Sequence, residues 1–455
     1  MTEKYDVIIV GSGPAGMSAG LELVKLDSSL KILILEKGPI RSPEDGKDKD
    51  KLTCGWGGAG TFSDGKLNLT GKSGGQLNNL ISPAYFGELM TYVDAQYLEF
   101  GGDKAVLKIP DEKKAKALRQ EALSVGFKDL IYYPTRHWGT DNAYVIVNNI
   151  REFLLSKNVK ILCGTEMAKL ERHRRLKFKL YDHDNRCFYG QNVILAGGRG
   201  SNKSMAQIAR TFGIKVKSNG VDFGLRIETI AEAFEKITDV IHSPKFVLLH
   251  GNDEVRTFCV CPYGFVKMES SYGVLTVNGE SFSEKSGIRS QNTNFAILVH
   301  MDFEHPFGNP TEYGTLVSRV TNKLGGRKVI IQTLRNLLED RRSNWERVQR
   351  SIVEPTLKDV EPADLRKAIP YNVMCGILKK LKLLGEMTPM NPDNVLLLGP
   401  EVKQYAERPE LDENCQTKVE NLHMAGDGSG WSRGIMQASM MGIISARHIV
   451  SKGKK

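Results

Sequence analysis

Gly11-Ser-Gly-Pro-Ala-Gly16 stands directly behind the apolar run Tyr5-Asp-Val-Ile-Ile-Val10 and ahead of a helix-like stretch. A strand that feeds a tight turn, which in turn opens a helix, aims backbone amides and a positive dipole end at an anion. In that reading Gly11 permits the turn, Gly13 lets the backbone approach a pyrophosphate without a Cβ, and Gly16 lets helix and strand pack closely. Ser12, Pro14 and Ala15 complete the turn. A second apolar run, Ile32-Leu-Ile-Leu35, ends in Glu36, followed by Lys37. An acid about 20 residues beyond the last glycine is placed to accept hydrogen bonds from an adenosine ribose. Its charge repels a 2′-phosphate and so argues against NADP, leaving FAD and NAD.

The segment Thr417-Lys-Val-Glu-Asn-Leu-His-Met-Ala-Gly-Asp427 resembles the second fingerprint of FAD-binding proteins of the glutathione-reductase structural class. The resemblance favours FAD and implies that Asp427, after Gly426, holds the ribityl chain. The runs Gly57-Gly-Ala-Gly-Thr-Phe-Ser-Asp-Gly-Lys-Leu67, Phe258-Cys-Val-Cys-Pro-Tyr-Gly264 and Val277-Asn-Gly-Glu-Ser-Phe282 are similar to a family of FAD-dependent dehydrogenases. Cys-Pro-Tyr-Gly departs there from the family's Cys-Pro-Gly-Gly. Longer members carry an N-terminal domain that this chain is expected to lack. The resemblance further implies that Gly58, Ala59, Gly60 and Thr61 face the cofactor and that Met167 contacts adenine through its backbone. It places Ala196 and Gly197 by the phosphates, and aims the amides of Gly434, Ile435 and Met436 at the flavin N1/C2=O edge.

Three residues are candidates for chemistry: Lys66, Cys261 and Arg433, expected to approach the flavin ring. Each also has an ordinary reading. Lys66, with Asp64, belongs to a glycine-rich loop; Cys259 and Cys261 share one strand face and can be core; Arg433 can be a surface charge or an ion-pair partner. Arg226 and Glu228 can form a structural ion pair. The favoured activity is an FAD-dependent oxidoreductase passing hydride between an organic small molecule and flavin N5. The alternatives are an oxygen-using monooxygenase or oxidase, and a flavin-dependent RNA-modifying or non-catalytic FAD-binding protein. The electron donor or acceptor is open, with NAD(P)H among the candidates.

These residues need an α/β scaffold. We expect a Rossmann-like FAD-binding domain, discontinuous in sequence, with an inserted substrate domain of antiparallel sheet plus helices. Residues 1–220 form its first part, with a helical excursion over 71–140; 221–385 form the substrate domain and 386–455 return to the FAD domain. Apolar spacing predicts helices over 112–123, 144–155, 316–324 and 329–339. Strands are expected at 159–162, 245–249, 273–277 and 294–299, a hairpin at 178–181 and 187–189, and a buried strand over 192–198. Asn394-Val-Leu-Leu-Leu398 reads as the return into the FAD domain.

With 455 residues, 40% of them hydrophobic, the chain can bury two cores. It shows no leader, and no apolar run reaches the ~18 residues that span a bilayer, so a cytoplasmic location without membrane partners is expected. Seven cysteines without paired spacing fit a reducing compartment. Cys54 stands alone where disulfide reductases carry Cys-x4-Cys. No zinc-ligand spacing, Walker loop or nucleophile elbow appears, and no metal site is expected. A net charge of +10 is modest for this length, and Arg172-His-Arg-Arg175 and Lys452-Gly-Lys-Lys455 read as solvated turn and tail, so nucleic acid is disfavoured as a partner. The mixed-charge run 44–51 is expected to be an exposed loop.

Overall fold

Val7, Ile8 and Ile9 follow one another with no polar residue between them, a pattern that a strand buries only when both sheet faces are covered. In a computed structural model, which describes residues 3–47, 54–102, 106–271, 273–303 and 309–453, the strand Glu3–Val10 lies inside a sheet and all three residues are fully buried. The chain divides into two units. The first comprises Met1–Val106, Thr140–Asn219 and Tyr405–Lys455; the second comprises Leu107–Gly139 and Gly220–Gln404.

The first unit is built on a sheet whose strands run in the order Lys160–Cys163, Ile32–Glu36, Glu3–Val10, Cys187–Leu195, Lys177–Asp182, Met167–His173. Leu422–Met424 also pairs with Cys187–Leu195. The last two strands in that order form an antiparallel meander with Cys187–Leu195, and the others are parallel. The expected hairpin forms, and its second arm continues without a break into the expected buried strand as Cys187–Leu195. Helices Pro14–Leu26 and Ile435–Gly453 pack against each other at Gly442, where a Cβ would stand 2.0 Å from Ala15 O. Only glycine allows that approach.

In the second unit the order is Val360–Pro362, Val329–Thr333, Val395–Gln404, Val221–Ile230, Asn292–Met301, Asp253–Cys261, Lys245–His250, Asp129–Ile131. All neighbours are antiparallel except the first two strands. Helix Tyr371–Met387 turns Val373, Ile377, Leu381 and Leu384 into the core that also holds Phe223, Ile227 and Ile297.

Three expectations are corrected. The helix read over 329–339 is the strand Val329–Thr333, buried at every position, followed by the short helix Leu334–Leu338. Its β-branched residues pack on both faces, and a fully buried strand has no alternation to separate it from a helix. The run 394–398 does not re-enter the first unit: Val395–Gln404 pairs with Val221–Ile230, so the second unit extends past 385 to Gln404. Of the excursion over 71–140, only the part with helix Pro83–Glu99 stays in the first unit, while 107–139 join the second. Residues 48–51 of the mixed-charge run, and Lys454 and Lys455 of the tail, lie outside the described residues.

Candidate functional site

Parallel register aligns the carboxyl ends of four strands. Val10 pairs with Leu35 and with Leu195, and Leu195 with Met424, so Gly11, Glu36, Ala196 and Ala425 leave the sheet side by side. Ligands of open α/β sheets bind at such carboxyl ends. Gly11 turns with φ 105°, and a Cβ there would stand 2.6 Å from Ala196 O, so the turn requires glycine on both counts. Pro14 occupies the first turn of helix Pro14–Leu26, which has neither a side-chain cap nor an acidic residue there. Its leading amides are therefore open to an anion.

These segments line a cavity of about 300 Å³. Gly11, Ser12, Gly13, Pro14 and Ala15 form part of its wall, with Glu36 and Lys37 from the second strand end and Gly58, Ala59 and Gly60 from the glycine-rich loop. Met167, Ala196, Gly197, Gly426, Asp427, Gly434 and Ile435 complete the expected lining, and Lys66 is there as well. Cβ atoms built on Gly13 and Gly434 would meet nothing within 4 Å. Backbone faces open space at those points.

Five expected residues do not line it. Gly16 packs into the turn, where a Cβ would stand 1.9 Å from Gly11 O. Thr61 is buried and donates to Trp56 O at 2.7 Å, a bond internal to its loop. Met436 is buried on the first turn of its helix. Arg433 stacks its guanidinium 4.0 Å from the Tyr405 ring centroid and donates its amide to Gly74 O at 2.7 Å. Cys261 belongs to the second unit, with Sγ 3.6 Å from Arg226 Nη2. Arg226 does not pair with Glu228 as the sequence suggested. Its ion partner is Glu401 at 3.3 Å, while Glu228 accepts from Asn292 and Thr356.

Glu36 is more occupied than its position in sequence suggests. Oε2 accepts from the Ser12 amide at 3.0 Å and the Ser12 hydroxyl at 2.8 Å; Oε1 accepts from the amides of Gly38 at 2.9 Å and Gly55 at 3.0 Å. The carboxylate thereby ties three segments of the cavity wall together. Asp427 accepts from Ser432 Oγ at 2.9 Å and from the Gly434 amide at 3.1 Å. The Gly434 amide is thus committed to Asp427, which corrects the expectation that it points at a ligand. Burial pushes the Asp427 carboxyl above its usual range, opposed by Arg199, Arg433 and these hydrogen bonds. Lys66 Nζ lies 2.9 Å from Asp64 Oδ2, and both groups sit on the cavity wall.

Arg199 was missed, and so were Ser201, Ser204, Met205 and Ile208, which enter the wall where helix Asn202–Thr211 begins. Gly197-Gly-Arg-Gly-Ser201 carried the signal: glycines at a strand end followed by a cation.

The donor set suits a dinucleotide: open amides and the cations of Lys37 and Arg199 for phosphates, acids for sugar hydroxyls, and exposed backbone at glycines. Residues 225–404, in the other unit, match the family described as FAD-dependent protein, C-terminal domain-like. The chain is similar to that family over less than half of its length. A protein of Clostridium beijerinckii, named as uncharacterized, is 25% identical to this chain over 483 residues, covering 99% of this chain and 81% of its own length. Among solved structures, L-proline dehydrogenase from P. horikoshii is 11% identical with TM-score 0.44, over 100% of this chain and 95% of its own. Glycine oxidase from Geobacillus kaustophilus is 13% identical with TM-score 0.41, over 99% and 95%. Likenesses of this strength assign the chain neither a substrate nor a reaction. Among the described residues, no helix is long and apolar enough to cross a membrane.

Proposed function

We propose that the cavity of the first unit holds FAD and that the protein passes hydride between an organic small molecule and the flavin. One observation carries the reading: the Gly11–Ala15 turn and Gly426-Asp427, more than four hundred residues apart in sequence, line the same cavity. In this reading the open amides of the first helix, with Lys37 and Arg199, take the pyrophosphate. Glu36 fixes Ser12 and borders the ribose, the backbone at Met167 passes the adenine, and Asp427 holds the ribityl hydroxyls.

Bound FAD supplies two-electron chemistry at N5. The chain's share is positioning and charge. Helix Ile435–Gly453 brings its N-terminal dipole to the cavity through Ile435, which favours negative charge there. Lys66, held by Asp64, is an ammonium on the wall able to hold a proton or an anionic substrate group. The substrate is a small organic molecule, the second electron partner is NAD(P)H or another soluble donor or acceptor, and the compartment is the cytoplasm.

Anaerobic mixing of the purified protein with panels of organic substrates and of NAD(P)H, followed by admission of air, tests the reading. The flavin should bleach with an organic substrate or a nicotinamide donor and recolour slowly in air. Rapid recolouring with stoichiometric hydrogen peroxide would replace it with an oxidase.

A further inference from the structure

The strand Asp253–Cys261 breaks step near its end. Phe258 lies opposite Ala296 and Cys261 opposite Asn294, so one strand advances three residues while its neighbour advances two. This is a β-bulge. Within it Cys259 takes φ 38°, in the left-handed region that residues other than glycine rarely adopt. The thiols converge here: Cys259 Sγ and Cys261 Sγ lie within 4.8 Å of each other. Positions i and i+2 of even a fully extended strand are about 6.6 Å apart at Cα. Disulfides span Cα separations up to ~6.8 Å, so the spacing of the two positions does not forbid a bridge.

A buried cation serves the pair. Arg226, with no exposed surface, places Nη2 3.6 Å from Cys261 Sγ and 2.9 Å from Cys259 O. Asn294 Oδ1 at 2.9 Å and Glu401 at 3.3 Å fix the guanidinium. Lys403 Nζ lies 2.9 Å from Glu401. Gly279 makes room for it, since a Cβ there would stand 1.6 Å from Nη2. Lys245 packs on the Phe258 ring at 5.5 Å, and its ammonium is pushed down to about 8, chiefly by burial, with Cys259 among the charges acting on it. A thiolate on Cys261 would have the Arg226 guanidinium 3.6 Å away. Cys259 is half-buried and Cys261 buried, which sets their order of encounter with a reagent.

We infer that Cys259 and Cys261 are a redox-active dithiol that reduces low-molecular-weight disulfides by thiol–disulfide exchange. Cys259, as thiolate, attacks one sulfur of the disulfide and expels the other as a thiolate, which takes up the proton that Cys259 lost. Cys261, its thiolate favoured by Arg226, attacks Cys259 Sγ, closes the intramolecular bond and releases the second external thiolate, which takes up the Cys261 proton. The dithiol is oxidised by two electrons, and one disulfide becomes two thiols. The inference does not require that the first unit hold FAD.

The whole protein is equilibrated with excess oxidised glutathione at neutral pH, denatured with an alkylating agent and digested with trypsin. Arg256 and Lys267 bracket both cysteines in one peptide, residues 257–267. The wild-type peptide should be unalkylated and lighter by two hydrogens, and dithiothreitol should restore both thiols. In Cys261→Ser the resolving thiol is gone, so glutathione should remain on Cys259. A wild-type peptide with both cysteines alkylated, or glutathione persisting on Cys259 beside an intact Cys261 thiol, overturns the inference. Should Cys261→Ser fail to fold, titration of the wild type against glutathione ratios decides: two-electron conversion of this peptide supports the dithiol, and no conversion overturns it.

Discussion

Glu36 and Asp427 border the same cavity but differ in what else depends on them. Glu36 satisfies the amides of Ser12, Gly38 and Gly55, so Glu36→Ala leaves buried donors unpaired. At roughly 1–3 kcal/mol for an orphaned buried group, the cofactor-free protein should lose about 2–4 kcal/mol of stability, measured by denaturant unfolding. An unchanged midpoint would mean that the three amides find other partners. Among the described residues the Asp427 carboxylate accepts from Ser432 and Gly434, and the charge-assisted bonds proposed from it to a ligand would contribute about 1.5–3 kcal/mol. Asp427→Ala should therefore weaken FAD binding by about tenfold to a hundredfold in titrations of the apoprotein. Equal affinity would remove Asp427 from the cofactor set. The acids at the two strand ends are legible in sequence because each closes a local motif, the second apolar run after the glycine turn and the Gly-Asp pair, although the structural bonds of Glu36 are not. Thr61 and Met436 were not separable from their neighbours, because whether a residue in a glycine loop or a first helical turn faces in or out depends on packing.

Among the elements, helix Ile435–Gly453 carries two separable tests. Gly442→Ala forces a Cβ against Ala15 O and should destabilise by about 2–3 kcal/mol, read as a lower melting temperature. A variant as stable as the wild type would show that the helices can move apart freely. On the same helix, His448 Nδ1 lies 3.0 Å from Nε2 of His423, a buried residue whose imidazolium form burial pushes down to about 3. The folded value lies below the unfolded one of about 6.5, so the unfolded chain binds more protons between them. His423 thus favours folding fully above about pH 6.5, and that contribution falls as pH drops toward 3. Between pH 7.5 and 5 the loss should be about 2 kcal/mol and should be smaller in His423→Gln; equal losses would clear His423 of acid sensitivity. The run 273–277 is legible as a strand because Val274–Glu280 mixes buried and half-buried positions, whereas burial of Val329–Thr333 on both faces erases the period of two and leaves a helix reading open.

At the scale of the molecule, the GxGxxG turn, Glu36 and Gly-Asp could be read because each motif is local. The partition could not, because Val395–Gln404 looks like any buried strand until its partners Val221–Ile230 and Val329–Thr333 are known. Arg199 was missed for a related reason: only the alignment of strand ends brings the 197–201 run beside the Gly11 turn. The account stands or falls on whether FAD occupies the cavity where those ends meet, and Gly13 probes that point with little disturbance elsewhere. Its φ of −66° and ψ of −175° suit any residue, and a Cβ there meets no protein atom within 4 Å. Gly13→Leu should cost at most about 1 kcal/mol as a changed helix cap while filling the space a pyrophosphate needs. The measurement is the nucleotide released on denaturing wild type and variant, quantified by chromatography. The wild type should release FAD near one equivalent, and Gly13→Leu, with the melting temperature of the stripped wild type, should release almost none. A folded Gly13→Leu that releases as much FAD as the wild type, or a wild type that releases NAD instead, would contradict the account.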